Sequence, residues 1–151
     1  MSQLNFHNAE SDISSKACYK NFTDNPPPPT LLPILQKTKS TYLVWYQYYP
    51  IIPKTHRYSL GQKIDNFFID AIEAISTAAF LSKKEKLSYV NLAIRKIDTL
   101  KIFLMILWET KSLDDKKYIT LSLKIDEIGK MLGGWRGQLL KQNSPQKRGE
   151  K

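Results

Sequence analysis

Cysteine is nearly missing from this chain. Cys18 stands alone, which excludes an intramolecular disulfide framework and a thiolate metal cluster and fits a reducing, cytoplasmic setting. Histidine is as scarce. His7 lies near the start and His56 in a corner between predicted helices, so no two histidines share a helix face for a metal ion. Long apolar runs are lacking too: the longest, IFLMILW from Ile102 to Trp108, covers seven residues and is far too short to span a bilayer. The opening MSQLNFHNAESDISSK has no apolar stretch of the kind a secretory signal needs. Phosphate-binding glycine loops, G-x-S-x-G elbows and Cys/His pairs are absent. The adjacent acids Asp126 and Glu127 point about 100° apart on a helix and read as solvated surface or as partners for nearby lysines. No enzyme, no metal and no cofactor is expected.

Acidic residues are also few, 14 against 23 Lys and Arg, a formal net charge of +9. The excess is concentrated: residues 31–142 hold 18 basic and 10 acidic side chains, whereas residues 1–30 hold 2 and 3. A basic folded part calls for an anionic partner, either nucleic acid or an anionic membrane surface. Membrane binding is disfavoured because no helix combines one wide apolar face with a dense basic border. An acidic protein partner for a purely protein-binding adaptor is the other reading of the charge.

Three regions are predicted. Residues 1–30 are rich in Ser, Asn and Asp and end in PPPP, Pro26–Pro29. They read as a disordered extension with a stiff polyproline spacer. Residues 143–151 read as a flexible basic tail. Between them the apolar spacing predicts four helices, an all-α, up-down four-helix bundle. The first covers about 31–49, with Pro33 in its first turn. The second starts near Ser59 as its N-cap and runs to about Ser82. The third covers about Glu85 to Lys111, after a KKEK corner. The fourth begins at Asp114 and Asp115, where negative charge suits the helix dipole. Its stripe Tyr118, Leu121, Ile125, Ile128, Leu132, Trp135 and Leu139 steps by threes and fours.

The third helix carries apolar residues on two sides. Val90, Ala93, Ile97, Leu100, Leu104 and Leu107 share one face, and Ile102, Phe103 and Ile106 lie opposite. A helix that is apolar on two sides is buried on two sides, so the second set is expected to form an interface between copies of the chain. Covering each such side chain contributes about 1.5–3 kcal/mol. Gly129, Gly133 and Gly134 each weaken a helix by roughly 0.5–1 kcal/mol. Close approach of another backbone, or a kink near Gly134, is the expected compensation.

The cations are clustered. Lys116, Lys130 and Lys141 fall within about 40° on the fourth helix, opposite its apolar stripe. Lys54, His56, Arg57 and Lys63 gather around Tyr58, Arg95 and Lys96 sit on the third helix, and Arg136 follows Trp135. Basic groups collect phosphate oxygens and nearby aromatics stack on exposed bases, so these residues are the candidate contacts. Base-sequence reading is not indicated, since no helix-turn-helix, zinc finger or RNP signature is present.

Two stretches, YPIIPKTHRYSLGQKI at Tyr49–Ile64 and DEIGKMLGGW at Asp126–Trp135, resemble the accessory variability determinant (Avd) family of diversity-generating retroelements. The resemblance covers about residues 31–142, and the chain is more distantly similar to the bundle proteins of 23S ribosomal RNA intervening sequences. It implies a basic, pentameric barrel of four-helix bundles that binds a reverse transcriptase and RNA or DNA and supports mutagenic cDNA synthesis without performing chemistry. It further implies phosphate or polymerase contact for Lys54, His56 and Arg57, and a structural part at the helix entry for Tyr58, Leu60 and Gly61. A bundle of the intervening-sequence type would instead be an oligomeric adaptor without a reverse transcriptase partner.

Overall fold

The computed structural model describes residues 32–145. The expected extension over 1–30, with Cys18, and most of the basic tail lie outside the described residues. Four long helices account for nearly all of the rest: α1 (Pro33–Tyr48), α2 (Gln62–Phe80), α3 (Lys83–Glu109) and α4 (Asp115–Asn143). No strand occurs among the described residues. The helices run up and down in a ring, α1 against α2 and α4, and α3 against the same two. One end of the bundle therefore carries the α1–α2 and α3–α4 connections. The other carries the α2–α3 connection together with the start of α1 and the finish of α4.

Helix starts follow local chemistry. Pro33 occupies the first position of α1, where its missing N–H costs nothing. The Asp114 carboxylate accepts from the Lys117 N–H at 2.9 Å and caps α4. α3 starts at Lys83, two residues before the expected Glu85, because Ser82 is extended and its hydroxyl donates to Glu85 Oε2 at 3.1 Å. The KKEK lysines thus belong to the first turn of α3 rather than to a loop. α3 ends when Lys111 enters the left-handed region at φ 63° and Ser112 N–H reaches back to Leu107 O.

Ser59 is not the N-cap that the sequence suggests. Winding begins earlier, at Lys54, where the His56 and Arg57 N–H groups both bond to Pro53 O. It passes through a π-helical stretch, Arg57–Gly61, before α2 proper. Pro53 has the extended backbone that suits a helix entry, so the winding starts there.

The core is built from the predicted inner faces of α3 and α4 together with Ile64, Phe68, Ala71, Ala74, Ile75 and Ala78 of α2. All six residues assigned to the inner face of α3 are buried, as are Leu121, Ile125, Ile128, Leu132 and Leu139 of α4. α1 differs. Its buried positions are Ile34, Thr38, Thr41 and Trp45, while Leu43 and Tyr46 face outward. The two threonines are admissible inside because their hydroxyls donate to the carbonyls of Ile34 and Lys37, at 2.7 and 2.8 Å. Trp45 is wholly buried, stacks on Phe68, and donates its indole N–H to Asp65 at 3.2 Å.

Of the two compensations expected for the glycines of α4, an end of the regular helix near Gly134 does not occur: the helix continues to Asn143. A Cβ added at Gly133, Gly134 or Gly137 would meet nothing within 4 Å, so no backbone approaches them among the described residues. At Gly129 the neighbour is the Lys101 ammonium, 3.2 Å from a would-be Cβ, on its way to Asp126 Oδ1 at 3.1 Å.

Candidate nucleic-acid interface

Lys54, His56, Arg57 and Lys63 stand together at the end that holds the α1–α2 and α3–α4 connections, and Lys116, in the first turn of α4, stands at the same end. Their roles separate sharply. Arg57 donates from Nε to Ile52 O at 2.9 Å and from a terminal nitrogen to Pro50 O at 2.6 Å, so its guanidinium ties down the turn that precedes it. Tyr49 O–H closes the loop by donating to Arg57 O at 3.2 Å. His56 Nδ1 and Ser112 Oγ share a hydrogen bond of 2.6 Å, which joins the two connections. These two side chains hold the corner.

Gly61 completes it. A Cβ there would lie 3.2 Å from Tyr49 Cε2 and 3.4 Å from His56 O, so the tyrosine packs where only glycine leaves room. Leu60 packs half-buried against the core. Tyr58, for which the resemblance implies the same structural part, is 67% exposed.

Lys54 and Lys63 are exposed and, among the described residues, make no ion pair. The same holds for Arg95, Lys116, Lys130, Arg136 and Lys141. Lys96 is engaged, 2.9 Å from Asp70 Oδ2 and over the Phe67 ring. Lys37 and Lys117 are likewise matched, to Glu127 and Asp114. Hydrogen bonding from Lys37 holds the Glu127 carboxyl below the usual range, and Lys117 does the same for Asp114. The cations left for an outside anion are therefore spread over the connection end, the solvent face of α4, and the opposite end. Arg95 and Lys130 lie midway along their helices.

The sequence leaves a further group of cations unassigned. Lys83, Lys84 and Lys86 open α3 at the opposite end, close in the chain to Phe80, the most exposed large apolar residue among the described residues, at 89%. The signal was the KKEK run itself, which reads as a solvated turn until the fold shows what stands beside it. On the flank of α3, Ile102 is 57% and Ile106 38% exposed. Phe103 turns inward onto Phe67 with ring centroids 5.3 Å apart and is only half exposed. No helix among the described residues is long and apolar enough to cross a membrane.

Comparison with known proteins places this geometry in context. A search of curated proteins gives no match. Among solved structures, the chain is similar to a protein of unknown function from the S23 ribosomal protein family of Bacteroides thetaiotaomicron VPI-5482. The two superpose with a TM-score of 0.63 at 15% identity, over 68% of this chain and 97% of that one, a likeness of fold. The family model described as bAvd-like matches residues 32–139, which is the whole bundle from the first turn of α1 to the last core leucine of α4. The chain belongs to the bAvd-like family.

Proposed function

We propose that this protein is a non-catalytic accessory subunit of a diversity-generating retroelement, which binds the element's reverse transcriptase and RNA or DNA so that mutagenic cDNA synthesis can proceed. The observation that carries the reading is the set of cations that make no ion pair among the described residues, on a bundle of this family. Lys54, Lys63, Lys116, Lys130 and Lys141 are all exposed, and each could collect a phosphate. His56 and Arg57 contribute by shaping the corner from which Lys54 projects. Copies of the chain assemble through the outer flank of α3, with Ile102 and Ile106 at its centre and Phe103 backing them, and the family suggests a pentamer. The same cationic surface, repeated around a ring, then offers one long track to a polyanion and a platform for a polymerase. The setting is cytoplasmic.

The test is retention of RNA by the full chain across a salt series. Binding is expected at low salt, falling linearly in log–log form as counterions are released. A Lys54→Glu, Lys63→Glu, Lys116→Glu variant should keep its helicity and sedimentation but lose most of that binding, and Arg57 is left intact because replacing it would loosen the corner. Co-purification with the reverse transcriptase is expected to persist after nuclease treatment. Absence of RNA binding at low salt, with capture of one unrelated acidic protein, would instead favour an adaptor without a polymerase.

A further inference from the structure

Residues 76–90 and 134–145 form most of the bundle end that lacks the long connections, and they hold Lys83, Lys84, Lys86, Arg136 and Lys141 against a single acid, Glu85. The connection end is mixed by comparison, with Glu109, Asp114 and Asp115 among its lysines. None of the five cations makes an ion pair among the described residues, and Glu85 already accepts from the Ser82 hydroxyl. The two basic segments are joined: Asn143 Nδ2 donates to Lys83 O at 3.3 Å, which draws the last turns of α4 onto the start of α3. Lys141, two residues before that hydrogen bond, is thereby carried to the same end.

Phe80 stands beside this cluster as the last residue of α2. The chain turns through the extended Leu81 and Ser82 immediately after it, so Phe80 falls off the buried stripe that ends at Ala78 and its ring reaches solvent. Its chain neighbour Ala79 helps line an open apolar cavity of about 590 Å³ between the four helices, with Met131, Trp135 and Lys86 also in the wall. A bare aromatic ring among unpaired lysines is the arrangement on which a single strand binds: bases stack on the ring and phosphates meet the ammonium groups. A duplex hides its base faces and has no use for the ring.

Taking the nucleic-acid part of the proposed function as given, we infer that the α2–α3 end is a binding site for single-stranded nucleic acid, with Phe80 as the stacking platform and Lys83, Lys84, Lys86 and Lys141 as the phosphate-binding groups. Lys83 and Lys84 are exposed. Lys86, half-buried in the cavity wall, would direct the strand from Phe80 toward that cavity.

The experiment uses the full chain and fluorescent 20-nucleotide homopolymers, oligo-U and oligo-dT, with a duplex of equal length as control. Phe80→Ala is expected to weaken the single strands roughly ten-fold, the loss of about one stacked base, and to leave the duplex unchanged. It should not alter the salt slope, because every phosphate keeps its ammonium partner. Lys83→Ala with Lys84→Ala is expected to flatten the slope for single strands by roughly 0.7 for each phosphate left without a lysine.

Equal weakening of both ligands by Phe80→Ala, or none, overturns the site, as does a change in sedimentation, which would show Phe80 covered by a second copy. Displacement of the strand by polyglutamate in the wild type, with equal polyglutamate affinity in Phe80→Ala, assigns this end to an acidic peptide and also overturns it. If the wild type binds no polyanion at all, the proposed function falls with the site. If the wild type binds with a normal salt slope and only the Phe80 effect is missing, the site alone falls.

Discussion

Asp65 shows how one side chain serves two elements. It is half-buried, receives the indole N–H of the fully buried Trp45, and helps burial push the neighbouring Tyr42 phenol upward. Removing the acceptor leaves a buried donor unmatched, so Asp65→Ala is expected to destabilise the fold by about 1–3 kcal/mol in denaturant unfolding, with Asp65→Asn recovering part of that. The Tyr42 shift works in the same direction at high pH. A phenol whose folded-state pKa is raised favours the neutral form in the fold, so its contribution is complete below pH 10 and declines as the unfolded chain starts to ionise. Glycine gives a matched contrast. Gly61→Ala pushes a methyl against a tyrosine ring that is pinned by its own hydrogen bond, and about 1 kcal/mol of destabilisation is expected. Gly134→Ala meets open space among the described residues and should stabilise by about 0.5–1 kcal/mol through helix propensity alone, unless another copy packs there. A run of glycines in one helix was legible in the sequence, but the space around each was not, because it depends on chain segments far away.

Among the elements, α3 and α4 were the most readable. A stripe repeating every three or four residues can face only one core, and every position assigned to the inner face of α3 is buried. α1 was least readable, since hydropathy ranks Leu43 above Thr38 whereas the fold exposes the leucine and buries the threonine. A hydroxyl that bonds within its own helix carries no unmet donor inward, and hydropathy does not record that. The outer flank of α3 supplies the test at this scale. Ile102→Lys with Ile106→Lys places two charges on a face that the proposed assembly buries. It is expected to turn the assembly into monomers by analytical ultracentrifugation while leaving far-ultraviolet circular dichroism unchanged. A wild type that sediments as a monomer at micromolar concentration would remove the basis for the assembly.

At the scale of the whole molecule, the bundle has two unlike ends. Four ion pairs among the described residues, Lys37–Glu127, Lys96–Asp70, Lys101–Asp126 and Lys117–Asp114, match cations along its sides and at the connection end. The remaining lysines gather mainly at the ends and on the solvent face of α4. Sites at opposite ends share no side-chain partners, so their effects should add as free energies. The affinity loss for a single strand in a Lys54→Glu, Lys63→Glu, Phe80→Ala variant is therefore expected to equal the product of the separate fold-losses. A product that falls well short would mean that the two ends meet one short stretch of the same strand. Equilibrium binding at fixed salt, with oligomers of 20 and 40 nucleotides, separates the cases.

The order of apolar and polar residues along the chain determined the number of helices, the inner faces of α3 and α4 and the basic character of the bundle, because helical periodicity and charge are local properties that need no partner. The motifs at Tyr49–Ile64 and Asp126–Trp135 carried the family as well. Only the packed structure decided that Arg57 and His56 hold the corner, that among the described residues Lys96 is matched and Lys84 is not, and that Phe80 stands exposed near lysines. Each of these depends on which groups meet through space after the helices have packed, and a one-dimensional pattern does not contain those distances.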